Sequence, residues 1–259
     1  MEKFMRKLSC CILAILVLTF LSCDDFFSSS LGKPQKYDLS SIEVNAGNVD
    51  RWIETARGNP ELTAALLEKI TRELESAEGE EKARLMEAGI KIAVQSSGLG
   101  TTIIKQGSSV LEEDFNDVTQ DTLMDLLNRV IDDFISNGGP EAAENISQIA
   151  GMDIAEQHEG SAPQFGDDYK NTAEPDDVAE AILVLALGEL GPNPSVEDWN
   201  NTEELGLDIT DGYVTITDPD PSPNQVVLAA YLNMLAEGDP RFDDNPLTSV
   251  IKDAFQLLR

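Results

Sequence analysis

The chain holds a single histidine, His158, and that one count removes much chemistry. Zinc sites built on histidines, haem held by two histidines and the His-Glu-x-x-His protease motif each need more than one. As a lone general base His158 needs a nucleophile, and the sequence nominates none, so an exposed loop position is expected for it. Gly98-Leu99-Gly100-Thr101-Thr102 resembles a phosphate-cradling turn into a helix, but no strand precedes it and no Walker lysine follows, so it reads as a helix break. Asp208, Asp211, Asp218 and Asp220 crowd one stretch, where a calcium site is conceivable. Pro219, Pro221 and Pro223 stiffen the chain where a calcium loop would bend, so acidic turn residues are the expectation and the metal question stays open. Carboxylate pairs of the glycosidase type are so numerous here that no pair stands out. Trp52, Trp199, Tyr169, Tyr213 and Tyr231 are candidates for lining a groove, although aromatic residues on helix faces more often pack in a core. No catalytic residue and no cofactor follow from these groups.

The cysteines point elsewhere. Residues 1–22 begin with Lys3, Arg6 and Lys7, continue as an unbroken apolar run from Cys10 to Leu21, and end on the small Ser22 before Cys23. That layout is a signal peptide, and its apolar run of about twelve residues is far short of the roughly twenty that span a bilayer. Cys10 and Cys11 leave with it, so Cys23 remains the lone cysteine of the mature chain and has no internal disulfide partner. Phe20-Leu21-Ser22-Cys23 resembles the lipobox of bacterial lipoproteins, with Phe20 at the place where the family favours Leu. Asp24-Asp25-Phe26-Phe27-Ser28-Ser29-Ser30 is similar to the tethers of spirochaetal lipoproteins. The resemblance implies lipidation of Cys23 and a chain held on the extracytoplasmic side of a membrane in the cell envelope. Each buried methylene of the acyl chains adds about 0.8 kcal/mol, so two or three chains anchor effectively permanently.

Loss of residues 1–22 removes three basic residues and one acidic one, leaving 15 Lys plus Arg against 47 Asp plus Glu and a net charge of -32. Such a chain is repelled by nucleic acid and by anionic headgroups alike. The charge is uneven: residues 69–105 balance six basic against six acidic residues, whereas residues 106–259 carry five against 33. A basic protein partner or loosely held divalent cations suit that stretch, while plain solvation of an exported surface is the favoured reading, since charge runs are usually solvated faces.

The elements that must carry these residues are mostly helices. Residues 24–47 are polar, contain Gly32 and Pro34, and read as a flexible tether that holds the body on the order of 25 Å from the lipid. From residue 48 to 259 the pattern is helical. Asn59-Pro60-Glu61 is a helix start, followed by Leu62, Leu66, Ile70 and Leu74 on one face. Leu123, Leu126, Leu127, Val130, Ile131 and Phe134 mark an amphipathic helix halted by Gly138-Gly139. Further helices are expected near 80–96, 101–111, 140–157, 175–190, 223–237 and 246–258. A Gly closing one helix and a Pro opening the next recur at Gly58-Asn59-Pro60, Gly139-Pro140 and Gly238-Asp239-Pro240, with no fixed repeat period. Residues 159–173 read as a loop able to divide the body into subdomains. Leu207 to Thr217 alternates around Asp211-Gly212, the signature of a two-residue hairpin turn.

The expected fold is therefore predominantly all-α, an irregular helical bundle or helical-hairpin array with one small β-hairpin near 207–217. The expected function is that of a non-enzymatic interaction or scaffold protein of the cell envelope, anchored by lipid and docked to an envelope protein partner. A small-molecule or peptide-binding accessory to a transporter is the alternative, and an envelope hydrolase a more distant one.

Overall fold

The structure is a computed structural model that describes residues 42–99, 120–155, 157–190, 205–210 and 212–255. Its elements are α1 (Val49–Ala56), α2 (Pro60–Leu74), α3 (Gly79–Ser96), α4 (Gln120–Ser136), α5 (Gly139–Gly151), α6 (Asp167–Thr172), α7 (Pro175–Leu190), β1 (Leu207–Thr210), β2 (Tyr213–Ile216), α8 (Pro223–Ala236), α9 (Pro240–Asp243) and α10 (Pro246–Ala254). The fold is predominantly helical with one two-stranded antiparallel sheet, as the sequence pattern predicts. The expected helix at 101–111 and the expected tether, apart from residues 42–47, lie outside the described residues, as does Cys23.

Local chemistry starts and stops these helices. Asn59 Oδ1 accepts from the Leu62 N–H at 3.2 Å, and Pro60 takes the first helical position, where its missing N–H costs nothing. Gly138, with φ +89°, adopts the left-handed conformation that separates α4 from α5 without a tertiary obstacle. At Ser222 the hydroxyl accepts from the Gln225 N–H while the Gln225 side chain accepts from the Ser222 N–H, a reciprocal capping box that opens α8.

α8 is the axis of the body. Every residue from Gln225 to Leu235 is buried, so this helix has no solvent face, and its near-unbroken apolar sequence is what full burial demands. α5, α7, α10 and β2 pack on it. α3 lies against α5, α6 and α7, with α1 and α2 outside it, and the apolar side chains from α1 to α10 form one continuous core. Gly89 permits the close approach of α3 to its neighbours, since a Cβ there would lie 2.9 Å from Ile149 Cδ1 and 3.1 Å from Ile70 Cγ2.

The hairpin pairs Leu207 with Ile216, Asp208 with Thr215, Ile209 with Val214 and Thr210 with Tyr213, and of the expected turn pair Gly212 has φ +82° while Asp211 lies outside the described residues. Its second edge is covered from the body. Gly160 N–H donates to Ile216 O at 2.8 Å, and Ile216 N–H donates to Ser161 O at 3.0 Å.

Two boundaries differ from the sequence pattern. The helix expected over 140–157 ends at Gly151, because Lys82 Nζ caps the carbonyl of Met152 at 2.9 Å and the Asp153 carboxylate turns away to the Gly166 N–H at 2.8 Å. Within the expected loop 159–173, residues Asp167–Thr172 are helical. Asp167 and Asp168 sit at the positive end of that helix, and Arg241 donates to the carbonyls of Lys170 and Asn171 at the negative end, at 2.7 and 2.9 Å. The segment is fastened to α8 and β2, and the core continues through buried Phe165 and Tyr169.

Candidate functional site

Most of the residues that sequence chemistry singles out do not converge. His158 is exposed in a turn with Nδ1 3.0 Å from its neighbour's carbonyl, Glu159 O. The nearby Ser161 hydroxyl donates to His158 O at 2.6 Å and accepts from His158 N–H, so it serves the backbone and not the imidazole. Asp218 Oδ1 accepts from the Asp220 N–H at 2.9 Å, which makes it a turn residue; Asp208 is exposed, and Asp211 lies outside the described residues. Among the described residues no three His, Cys, Asp or Glu side chains gather as metal ligands. Gly98 has φ +67° beside the end of α3, and Gly100 to Thr102 lie outside the described residues. Trp52 donates from Nε1 to Glu43 O at 3.1 Å, Tyr213 is 54% exposed at the hairpin tip, and Trp199 lies outside the described residues.

Tyr169 and Tyr231, in contrast, meet in the interior. Their hydroxyls are 2.8 Å apart, and Phe165 packs on both rings with centroid distances of 4.8 and 4.7 Å. Burial, the largest influence, holds both phenols well above their ordinary titration range, so both are neutral.

Beside this pair, where α3 meets α7, stands a group that residue types alone did not reveal. Lys91 on α3 reaches Asp177 on α7, with Nζ to Oδ2 at 3.1 Å. One helical turn before Lys91 is Glu87, and three residues after Asp177 is Glu180, both partly buried. Desolvation pushes Glu87 up to about 7, with the negative charges of Asp177 and Glu174 adding to it. Desolvation likewise pushes Glu180 up to about 7, reinforced by Asp177 and Asp176. Burial also raises Asp177, against the opposing pull of Lys91. For Lys91, burial works against its charge, but Asp177 and then Glu87 and Glu174 outweigh it, and its titration moves up. One ammonium thus faces three partly buried carboxylates. The sequence does carry a trace of this site: Glu180 is the lone charge between Val178 and Leu187, inside the most apolar stretch of α7.

A surface depression lies elsewhere, between α5 and the start of α8, with a volume of about 250 Å³. Its lining includes Ser147, Met152, Val226 and Val227. Ser147 Oγ is turned to Asn224 Oδ1 at 2.5 Å, so its hydrogen-bonding capacity is directed into the protein. No helix among the described residues is long and apolar enough to cross a membrane. No family model, curated protein or solved structure matches the chain.

Proposed function

We propose that this chain is a non-enzymatic interaction protein of the bacterial cell envelope, attached to a membrane through lipidated Cys23 and presenting a helical body to a protein partner. The observation that carries this reading is the burial of α8 from Gln225 to Leu235. A body built around a buried axial helix spends its interior on packing, and what it offers to other molecules is its outer surface. The described depression of about 250 Å³ is smaller than the roughly 300–1,000 Å³ of pockets that enclose drug-sized ligands, which favours a protein partner over a transported small molecule. Among the described residues no nucleophile is hydrogen-bonded to the His158 imidazole, which weighs against the hydrolase reading.

The outer faces are rich in carboxylates: Glu61, Glu73, Glu75, Glu78, Glu141 and Glu144 are all exposed. A partner of basic surface is the complementary choice, and charge complementarity speeds encounter and selects against acidic proteins. The tether expected over residues 24–47 supplies reach, and it relieves repulsion between an acidic body and anionic headgroups.

The test is chemical cross-linking of the lipidated chain in its own envelope membranes, carried out in parallel at low and at high salt, followed by recovery of the cross-linked species. A stoichiometric protein partner with a basic surface, lost as salt rises, supports the proposal. Repeated recovery of the chain alone, or of a small molecule by native mass spectrometry, refutes it.

A further inference from the structure

The α3–α7 seam is not used by the docking function just proposed, and its charges are out of balance. α3 contributes Glu87 and Lys91, and α7 contributes Asp177 and Glu180, with Glu174 and Asp176 at its start. α1 adds Asp50. From α10 and the residue before it come Lys252, which is engaged by Asp243, and Asn245, whose amide donates to Asp176 Oδ1 at 2.7 Å. α6 and α8 bring only the neutral phenols of Tyr169 and Tyr231. Lys91 compensates Asp177. Glu87 and Glu180 make no hydrogen bond or ion pair to another described residue, and ionised together they leave the seam with two uncompensated negative charges in partly dry surroundings.

A second observation points the same way. The two buried tyrosines own two hydroxyl hydrogens and share one hydrogen bond, so one hydrogen is left without an acceptor among the described residues, although both rings are at most 2% exposed. Both phenols lie within the electrostatic field of Glu87 and Asp177. Among the described residues neither hydroxyl is hydrogen-bonded to Glu87 or Glu180, so the pair leaves both glutamates without a donor.

We propose that the α3–α7 seam is a proton-operated latch, shut while Glu87 and Glu180 carry protons and slackened when both ionise. Protonated, the two side chains are neutral and Lys91 is left to compensate Asp177. Ionised, each adds its repulsion to Asp177, Glu87 from α3 and Glu180 along α7, and water entering between the helices is the remaining source of solvation. The folded chain holds these protons more tightly than the unfolded chain, so stability falls as pH rises between the ordinary glutamate value of 4.5 and about 7. The device needs no histidine, and it makes the body stiffest in acidic surroundings and looser at neutrality.

The experiment is amide hydrogen exchange read by mass spectrometry on the complete chain in detergent micelles, at about pH 5 and about pH 7.5, corrected for intrinsic exchange. One proton bound with a one-unit difference in pKa is worth a factor of ten, so protection in α3 and α7 is expected to fall by roughly tenfold or more between the two conditions. In Glu87→Gln/Glu180→Gln, whose amides mimic the protonated side chains, protection stays level and exceeds that of the parent near pH 7.5. If the double variant does not fold, either single variant reduces the fall by about half on the square-root scale of two equal sites, that is to about threefold. An unchanged parent, an equal fall in the variants, or a fall spread evenly over α2 and α5 overturns the latch.

Discussion

Asn233, on the buried axial helix, treats Val214 as a neighbouring strand would: its Oδ1 accepts from the Val214 N–H at 2.7 Å and its Nδ2 donates to the Val214 carbonyl at 2.9 Å. The same amide nitrogen donates to Pro163 O at 3.0 Å, so a single side chain joins helix, hairpin and loop. A two-stranded hairpin is marginal alone, and this amide completes the edge of β2 that its own partner strand cannot reach. Asn233→Ala therefore leaves a buried N–H and two buried carbonyls short of a partner, and it should cost about 2–4 kcal/mol in urea unfolding. A loss below about 1 kcal/mol would mean that the hairpin is held by packing alone.

How much of this was legible in the sequence follows from how far each cause lies along the chain. The start of α2 at Asn59-Pro60 and the pairing of β1 with β2 are fixed by residues close in the chain, and the sequence pattern finds both. The apolar run of α8 announces burial for the same reason. α6 escapes notice because the guanidinium that satisfies its last carbonyls belongs to Arg241, about 70 residues further on. The seam escapes because Lys91 and Asp177 are 86 residues apart, and among so many carboxylates only the fold decides which ones meet a lysine and which are buried without one.

The tyrosine pair gives a non-additive prediction. Tyr169→Phe alone, or Tyr231→Phe alone, strands the other hydroxyl inside the core and should cost about 1–2 kcal/mol. The double variant removes both polar groups and keeps both rings against Phe165, so its loss should be no greater than that of either single change. A double-mutant cycle from thermal or urea unfolding reads this directly. Simple additivity would show that each hydroxyl has its own partner.

Lys91→Met should weaken the fold in a pH-dependent way. Its ammonium is the charge that compensates Asp177, and the substitution keeps the apolar stem while removing that charge. Because the lysine side chain is 39% exposed, solvent screens the pair, and the expected cost near pH 7.5 is only about 1–2 kcal/mol, less than for a fully buried pair. Near pH 5 the loss should shrink, since Glu87 and Glu180 then carry protons and less negative charge is left uncompensated. Lys91 titrates above its ordinary value of 10.5, so it is charged at both conditions and the pH slope belongs to the carboxylates. A loss that is equal at both conditions would separate Lys91 from those two glutamates.

The anchor makes a prediction that stands apart from the fold. If Cys23 carries acyl chains, Cys23→Ala removes the only cysteine expected in the mature chain and with it the attachment, while the described helices are kept. The parent chain should then partition into the detergent phase of a phase-separating detergent, incorporate labelled palmitate and migrate with membranes. The variant should do none of these, yet show an unchanged far-ultraviolet circular dichroism spectrum. Each buried methylene contributes about 0.8 kcal/mol, so loss of two or three chains is a change from permanent attachment to none, with no intermediate to confuse the reading. The helices cannot substitute for the lipid, because among the described residues none is long and apolar enough to cross a bilayer. Retention of the variant on membranes would instead place attachment in the apolar run Cys10–Leu21, kept uncleaved, or in a partner already seated there, and salt extraction distinguishes those two: a docked acidic body is released as ions screen it, whereas an apolar segment stays.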